Sequence, residues 1–165
     1  MRFLLLFAIA AIAVGAFVPK LYAPRPHAPT TAAVATAEPA PAGGRTAVIQ
    51  RSSNGHFQTE VTIDGRRVDV MVDTGASLIA LRQRDAMRMG INPPTRDYTA
   101  NVTTANGVVK AARVELGRVD IGGVTVRDVA AVILPDEALS QNLLGMSFLS
   151  KLRWEQKNGR LILEQ

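Results

Sequence analysis

The sequence contains no cysteine, and its 165 residues include only two histidines, His27 and His56. The absence of cysteine excludes disulfide scaffolds, iron–sulfur clusters and thiol catalysis. It also argues against the structural zinc sites that cysteine and histidine build together. A Ser-His-Asp triad would have to use His56, because His27 lies in a proline-rich stretch. No group of acids has the spacing of a metal site. We therefore expect neither a metal nor a cofactor.

Aromatic residues are also scarce, at 5% of the chain, although the formal net charge is +5. A basic chain can bind nucleic acid, but the first 46 residues hold +3 of this charge, from Arg2, Lys20, Arg25 and Arg45 against Glu38. The rest of the chain carries the remaining +2. It lacks the basic runs and interleaved aromatics that bind and stack bases. We expect no nucleic-acid partner.

The longest apolar run occupies residues 3–18, directly after Met1 and Arg2. As a signal peptide, it has a basic start, an apolar centre of fitting length and small residues at 14–16 for cleavage. As a retained anchor, it is slightly shorter than the roughly 20 residues that span a bilayer. Both alternatives export the rest of the chain. We expect an inner-membrane anchor with the domain in the periplasm, or a secreted or soluble periplasmic protein after cleavage.

Residues 19–46 contain six of the nine prolines among many alanines. Such a composition cannot bury enough surface to fold and predicts a semi-extended spacer. The predicted organisation is therefore a signal peptide or membrane anchor at 1–18, an Ala/Pro-rich linker at 19–46 and one folded domain at 47–165. A domain of this size can bury a core of its own.

The folded part alternates apolar and polar residues with a period of two, which predicts β-strands. Strands are expected at 56–63, 66–72, 77–81, 99–104, 108–121, 124–134, 153–156 and 160–164. Turn signals join them at Asp64-Gly65, Asn106-Gly107 and Asn158-Gly159. Short helices are expected at 82–89 and 146–152. Many short strands with few helices predict an all-β barrel or sandwich.

Two local features refine this prediction. Gly117 interrupts the alternation of its strand, which predicts a β-bulge. The cations Arg82, Arg84 and Arg88 lie on the first predicted helix and are expected to form a solvated face.

The motif whose residues could take part in a reaction is Asp73-Thr74-Gly75, at the end of the apolar strand 66–72. A lone D-T-G can be an ordinary tight turn with Gly75 as its permissive residue. Here it follows Val-Met-Val and precedes the apolar residues 78–81, so the carboxyl lies at the mouth of a β core. One carboxyl needs a partner for acid–base work. The chain contains no second D-T-G or D-S-G.

With these residues, the sequence resembles the retropepsin-like (retroviral-type) aspartic proteases, particularly the small membrane-tethered bacterial aspartyl proteases. The resemblance covers residues 55–164. It rests on VMVDTGA at 70–76, the hairpin signal at Asn106-Gly107, and Leu143-Leu144-Gly145 before a short helix. It implies a closed β-barrel or sandwich half-lobe with a flap hairpin and one or two short helices.

The resemblance also implies roles for individual residues. Asp73 would be catalytic, within an active-site loop completed by Thr74, Gly75, Ala76 and Ser77. The flap tip would comprise Ala105, Asn106 and Gly107. The support behind the active-site loop would be Leu143, Leu144 and Gly145.

Half-size chains of this family form the active site as homodimers, each subunit giving one aspartate. The expected function is an aspartic endopeptidase that hydrolyses extended polypeptide segments. Residues 160–164 form a short terminal strand and are expected to pair between subunits. The alternative is a catalytically silent retropepsin-fold module for peptide binding or dimerisation in the cell envelope.

Overall fold

A computed structural model of the chain describes residues 44–104 and 107–165. The predicted segment 1–18, the linker up to residue 43, and the predicted flap residues Ala105 and Asn106 lie outside the described residues. Strand β1 begins at Thr46, one residue before the predicted start of the domain. The described helices include none long and apolar enough to cross a membrane.

The described part contains ten β-strands and two short α-helices. The strands are β1 Thr46–Gln50, β2 Gln58–Ile63, β3 Arg66–Val72, β4 Ile79–Arg82, β5 Ala100–Thr104, β6 Gly107–Ile121, β7 Val124–Leu134, β8 Asn142–Leu144, β9 Arg153–Lys157 and β10 Arg160–Glu164. The helices are α1 Gln83–Arg88 and α2 Met146–Leu149, and 3₁₀ turns occupy Thr95–Asp97 and Asp136–Ala138. The predicted all-β fold with short helices is confirmed.

Six strands form a closed barrel. They pair in the order β2-β3-β8-β4-β7-β6, and a further pairing of β2 with β6 closes the ring. The pairs β3–β8 and β4–β7 are parallel, and the others in the ring are antiparallel. Strand β5 pairs with β6 outside the ring. Closure leaves no free edge between these six strands.

A separate three-stranded sheet has the order β1-β10-β9. Strand β10 is its central strand, bonded to β1 along one edge and to β9 along the other. The expectation that residues 160–164 pair between subunits is therefore wrong for this arrangement, because both edges of β10 are occupied within the chain. Local pattern could not reveal this, since the partner β1 lies more than a hundred residues earlier.

The interruption at Gly117 involves both strands of a pair. A β-bulge places two residues of one strand opposite one of the other and so shifts the register. Here Leu116 pairs with Val129 and Arg118 with Arg127, so one residue intervenes on each strand and the register is kept. The residue opposite Gly117 is Asp128, whose φ of 52° lies in the left-handed region. The predicted β-bulge is therefore wrong: one residue on each strand, Gly117 on β6 and Asp128 on β7, is left out of the ladder.

The carboxylate of Asp64 stabilises this interruption. Its two oxygens accept the backbone N–H of Gly117 at 3.2 Å and that of Arg118 at 2.7 Å. The N–H of Asp64 in turn donates to the carbonyl of Arg118 at 2.9 Å. A turn residue between β2 and β3 therefore supplies hydrogen bonds where the ladder between β6 and β7 is broken.

Side chains of the barrel strands alternate between two apolar clusters. The first apolar cluster is the main core, to which the barrel, the small sheet and α2 all contribute; its fully buried members include Ile63, Leu81, Leu116, Ile133, Leu144, Phe148 and Leu163. The second apolar cluster lies on the opposite face of the same strands; it consists of Ala80, Ala111, Val132 and Leu134, with Leu78, Val102, Val109, Ala138, Leu139 and Leu143 packed against them. The site described next opens onto this second cluster.

Candidate active site

Asp73 lies immediately after β3, with its side chain partly buried. Its backbone N–H donates to the carbonyl of Leu144 at 3.1 Å, which ties the strand end to β8. Its Oδ1 accepts the N–H of Gly75 at 2.8 Å, and its carbonyl accepts the N–H of Ala76 at 3.2 Å. The other carboxyl oxygen has no hydrogen-bond partner among the described residues. The turn therefore holds the carboxylate by one oxygen and leaves the other for an external partner.

Helix α2 and strand β8 lie directly behind this turn. Met146 donates its N–H to the carbonyl of Ala76 at 2.8 Å, and Ser147 donates its own to the carbonyl of Ser77 at 2.9 Å. The hydroxyl of Ser147 accepts the N–H of Ile79 at 3.0 Å. Residues 76–79 are thus fixed by three hydrogen bonds to the first turn of α2, a role of Ser147 that the sequence did not reveal.

Gly145 occupies the closest contact between these elements. A Cβ added at Gly145 would lie 2.7 Å from the carbonyl oxygen of Ala76 and 2.6 Å from the carbonyl carbon of Leu78. Real Cβ atoms do not approach backbone atoms so closely. Leu144 beside it is fully buried in the first apolar cluster, and Leu143 packs against the second. The three residues thus join the Asp73 turn to both clusters.

Strand β8 is positioned by a buried polar network. The amide Nδ2 of Asn142 donates to Oδ2 of Asp85 and to the carbonyl of Asp69, both at 3.0 Å. Its Oδ1 accepts the N–H of Arg82 at 2.8 Å. The guanidinium of Arg82 contacts Oδ2 of Asp85 at 2.6 Å, and Arg88 reaches Oδ1 at 3.3 Å. The oxygen and the nitrogen of the Asn142 side-chain amide therefore both have hydrogen-bond partners.

Asp85 stays charged in this environment. Burial raises the pKa of Asp85, but the hydrogen bonds from Asn142 and Arg82, with the charges of Arg82 and Arg88, outweigh it and leave the pKa below its ordinary value. The prediction of a fully solvated helix face is therefore wrong for Arg82, whose side chain is only 20% exposed. The Arg82 side chain pairs with Asp85 three residues later, and Asp85 is buried against Asn142 of β8, a contact that no local pattern could indicate.

The Asp73 carboxyl faces a cavity of about 740 Å³, within the usual range for ligand-binding clefts. The active-site turn forms one wall, through Asp73, Gly75, Ala76 and Ser77. Residues of the second apolar cluster and of β5 line much of the rest, together with Met71, Arg113, Ser140 and Gln141. Thr74 is exposed and does not line this cavity.

The hairpin formed by β5 and β6 covers one side of the cavity. Thr104 pairs with Gly107 at the end of the ladder, and its hydroxyl donates to the carbonyl of Gly107 at 2.9 Å. Gly107 has a φ of 112°, a conformation that glycine adopts without strain. Ala105 and Asn106 at the tip lie outside the described residues. All five residues of β5 line the cavity, whereas Gly107 does not.

The other chemistry-bearing residues do not gather at this site. His56 is exposed at the start of the β2 region, and neither it nor any other histidine is among the described residues that line the cavity. Within residues 44–104 and 107–165, no group of three or more His, Cys, Asp or Glu side chains could hold a metal ion.

Comparison with known proteins agrees with this geometry. A family model described as "gag-polyprotein putative aspartyl protease" matches residues 59–151, more than half of the chain. A solved structure, the crystal structure of a retropepsin-like aspartic protease from Rickettsia conorii, aligns with a TM-score of 0.65 and 35% identity, covering 73% of this chain and 91% of that chain. The chain therefore belongs to the retropepsin-like aspartic protease family.

Two curated relatives are uncharacterised proteins. One, from a region 5′ of cobV in a Sinorhizobium species, is 44% identical over 110 residues, which is 67% of this chain and 47% of the relative. The other, from Rickettsia prowazekii (strain Madrid E), is 39% identical over 106 residues, covering 64% of this chain and 45% of the relative. This chain thus matches about half the length of each.

Proposed function

We propose that this protein is an aspartic endopeptidase that acts as a homodimer with one Asp73 from each subunit. The observation that carries the proposal is the position of Asp73. One of its carboxyl oxygens is fixed by the N–H of Gly75, and the carboxyl faces a largely apolar cavity large enough for several substrate side chains. Among the described residues that line this cavity, Asp73 is the only carboxylate. The second carboxyl that acid–base catalysis needs comes from a second copy of the chain.

The mechanism follows from the proximity of two carboxyl groups. Two carboxylates a hydrogen bond apart cannot both ionise readily, so the pair shares one proton. The ionised Asp73 accepts a proton from water, and that water attacks the carbonyl carbon of the peptide bond. The protonated Asp73 polarises the carbonyl and then donates a proton to the leaving nitrogen.

The neighbouring residues support this assignment. Thr74 is exposed beside Asp73, where its hydroxyl can bond across the two-fold axis to the loop of the partner. Gly75 lines the cavity without a side chain, so the backbone of a substrate can approach closely. Strand β5 is the last strand of its sheet and lies along the cavity. An extended peptide can bind beside it by β-type hydrogen bonds.

The location of the enzyme is part of the proposal. The apolar residues 3–18 and the Ala/Pro-rich residues 19–46 fit an export signal or membrane anchor followed by a spacer. We propose that the domain faces the periplasm and is tethered to the inner membrane when residues 1–18 are retained.

The test compares the full chain with its Asp73→Asn variant, both solubilised in mild detergent, on a diverse peptide library from about pH 4 to 7. Asp69→Asn is the matched control, because Asp69 is an exposed carboxylate on β3, the strand that leads into Asp73. The proposal expects cleavage by the wild type and the control but not by Asp73→Asn, together with inhibition by a hydroxyl-bearing transition-state mimic. Specific activity should rise with protein concentration while the dimer assembles.

Two results would contradict the proposal. Equal cleavage by Asp73→Asn would remove Asp73 from the chemistry. A folded dimer that cleaves nothing would instead favour a silent peptide-binding module, especially if it retains library peptides. Sedimentation of both variants separates loss of catalysis from loss of dimerisation.

A further inference from the structure

Arg113 on β6 points toward the cavity rather than toward the core. Its neighbours on the strand, Ala112 and Val114, belong to or pack against the first apolar cluster. Because successive side chains of a strand point to opposite faces, Arg113 lies on the face of the second cluster. Its cross-strand partner is Val132, a member of that second cluster. Arg113 accordingly lines the cavity that Asp73 faces.

A continuous row of side chains connects Arg113 to the strand that carries Asp73. Adjacent strands pair Arg113 with Val132, Val132 with Ala80, Ala80 with Leu143, and Leu143 with Met71. All five residues line the cavity. With neighbouring strands about 4.8 Å apart, this row spans about 19 Å along the sheet.

The charge of Arg113 is not compensated within the described part of the chain. No described carboxylate lies within 4.0 Å of its guanidinium, although Arg82, Arg88 and Arg118 all have such partners. The next acid on the same face of β6, Glu115, does not line the cavity. The otherwise apolar row therefore ends in an unpaired cation.

We propose that Arg113 selects peptide substrates that carry an aspartate or glutamate side chain several residues from the cleaved bond. This inference rests on the proposed protease function and names its substrate class. A guanidinium presents a planar fork of N–H donors that matches a carboxylate. Arg113 is exposed to solvent, so a carboxylate of a bound peptide can reach its guanidinium, and water partly screens the resulting ion pair. In a two-fold dimer, one Arg113 lies toward each end of the cleft, so the preference occurs on both sides of the bond.

The experiment measures kcat/KM of the full chain on matched peptides. The best-cleaved library sequences are resynthesised with glutamate or glutamine exchanged at each position in turn. The wild type is expected to favour glutamate about threefold to tenfold at one position on either side of the bond, the range of a partly exposed ion pair. Raising the salt concentration from about 0.05 to 0.5 M should weaken this preference.

Two substitutions at Arg113 and one control assign the effect. Arg113→Gln should reduce the ratio of kcat/KM between the glutamate and glutamine peptides to about one, and Arg113→Glu should favour lysine at the same position. Arg127→Gln removes an equal charge from β7 outside the cavity and should keep the wild-type preference. A glutamate preference that survives in Arg113→Gln, or is absent from an actively cleaving wild type, overturns the inference but not the protease function.

A binding measurement covers the case in which the wild type cleaves nothing. The same library is affinity-selected on Asp73→Asn and on Asp73→Asn with Arg113→Gln. Enrichment of acidic peptides by Asp73→Asn but not by the double variant supports the role of Arg113 in a peptide-binding module. Equal enrichment by both, or none by either, overturns it.

Discussion

Replacing Gly145 by alanine should loosen the turn that carries Asp73 without straining the backbone at the mutated residue. Gly145 has a φ of −94° and a ψ of −173°, which is extended backbone that alanine adopts freely. The added methyl group, however, would lie 2.7 Å from the carbonyl oxygen of Ala76. The only relief is to separate residues 76–78 from the start of α2.

The magnitude follows from the hydrogen bonds at this contact. Separation stretches three of them, donated by Met146, Ser147 and Ile79. Each contributes about 1 kcal/mol net, and overpacking of a close contact costs about 1–3 kcal/mol in addition. We expect the free energy of unfolding to fall by about 4–6 kcal/mol. Peptidase activity should fall further than the loss of folded protein, because Asp73 is bonded to Leu144 directly beside the substitution.

The assay is urea unfolding of the full chain followed by circular dichroism, with Gly159→Ala as the matched control. Gly159 has a φ of 71°, but a Cβ added there would meet no atom within 4 Å, so its replacement tests backbone strain without a clash. That strain costs about 1–2 kcal/mol. If Gly145→Ala destabilised the protein no more than Gly159→Ala, the close packing behind the Asp73 turn would not be what fixes it.

Three further predictions concern the elements around the site. Because the pKa of Asp85 is held below its ordinary value of 3.8, its contribution to stability is present above that value and is lost as the pH falls through the lower folded-state pKa. Asp85→Asn should therefore lower the free energy of unfolding by about 3 kcal/mol at pH 7. Below about pH 4 the variant should lose less stability than the wild type, measured as urea midpoints. An unchanged dependence of the midpoint on pH would contradict the role of the Asp85 carboxylate in this network. Asp64→Ala should cost about 2 kcal/mol, because it leaves the N–H groups of Gly117 and Arg118 without their acceptor, and hydrogen exchange should accelerate at those two amides alone. Phe148→Ala removes a fully buried ring and should cost about 3–5 kcal/mol in the same urea assay, whereas a loss under about 1 kcal/mol would contradict the packing of α2.

Local signals predicted most of the strands because they depend on neighbouring residues. The turn residues Asp64 and Asn158 adopt the positive φ that their hairpin turns require. Alternation placed Val68, Val70 and Val72 on one face of β3, and all three belong to or pack against the first apolar cluster. Such features need no knowledge of the rest of the chain.

Features that depend on distant partners could not be predicted in the same way. The pairing of Arg82 with Asp85 is local, but the contact that buries Asp85 against Asn142 joins residues 57 positions apart, and the central place of β10 depends on β1. The break at Gly117 was visible as lost alternation, but the matching residue Asp128 appears only once β6 and β7 are paired. Each wrong prediction thus concerned a residue or strand that makes a contact distant in the sequence.

At adjacent positions of the same strands, one side chain packs in the core and the next lines the cavity. On β7, Ile133 is buried in the first apolar cluster, whereas Val132 lines the cavity. On β6, Ala112 belongs to the core, whereas Arg113 lines the cavity. Substitutions at the cavity-facing positions can therefore change which peptide fits while the core-facing positions, and with them the placement of Asp73, stay the same. A rigid barrel of this kind allows the lining of the cavity to vary around one Asp73 turn.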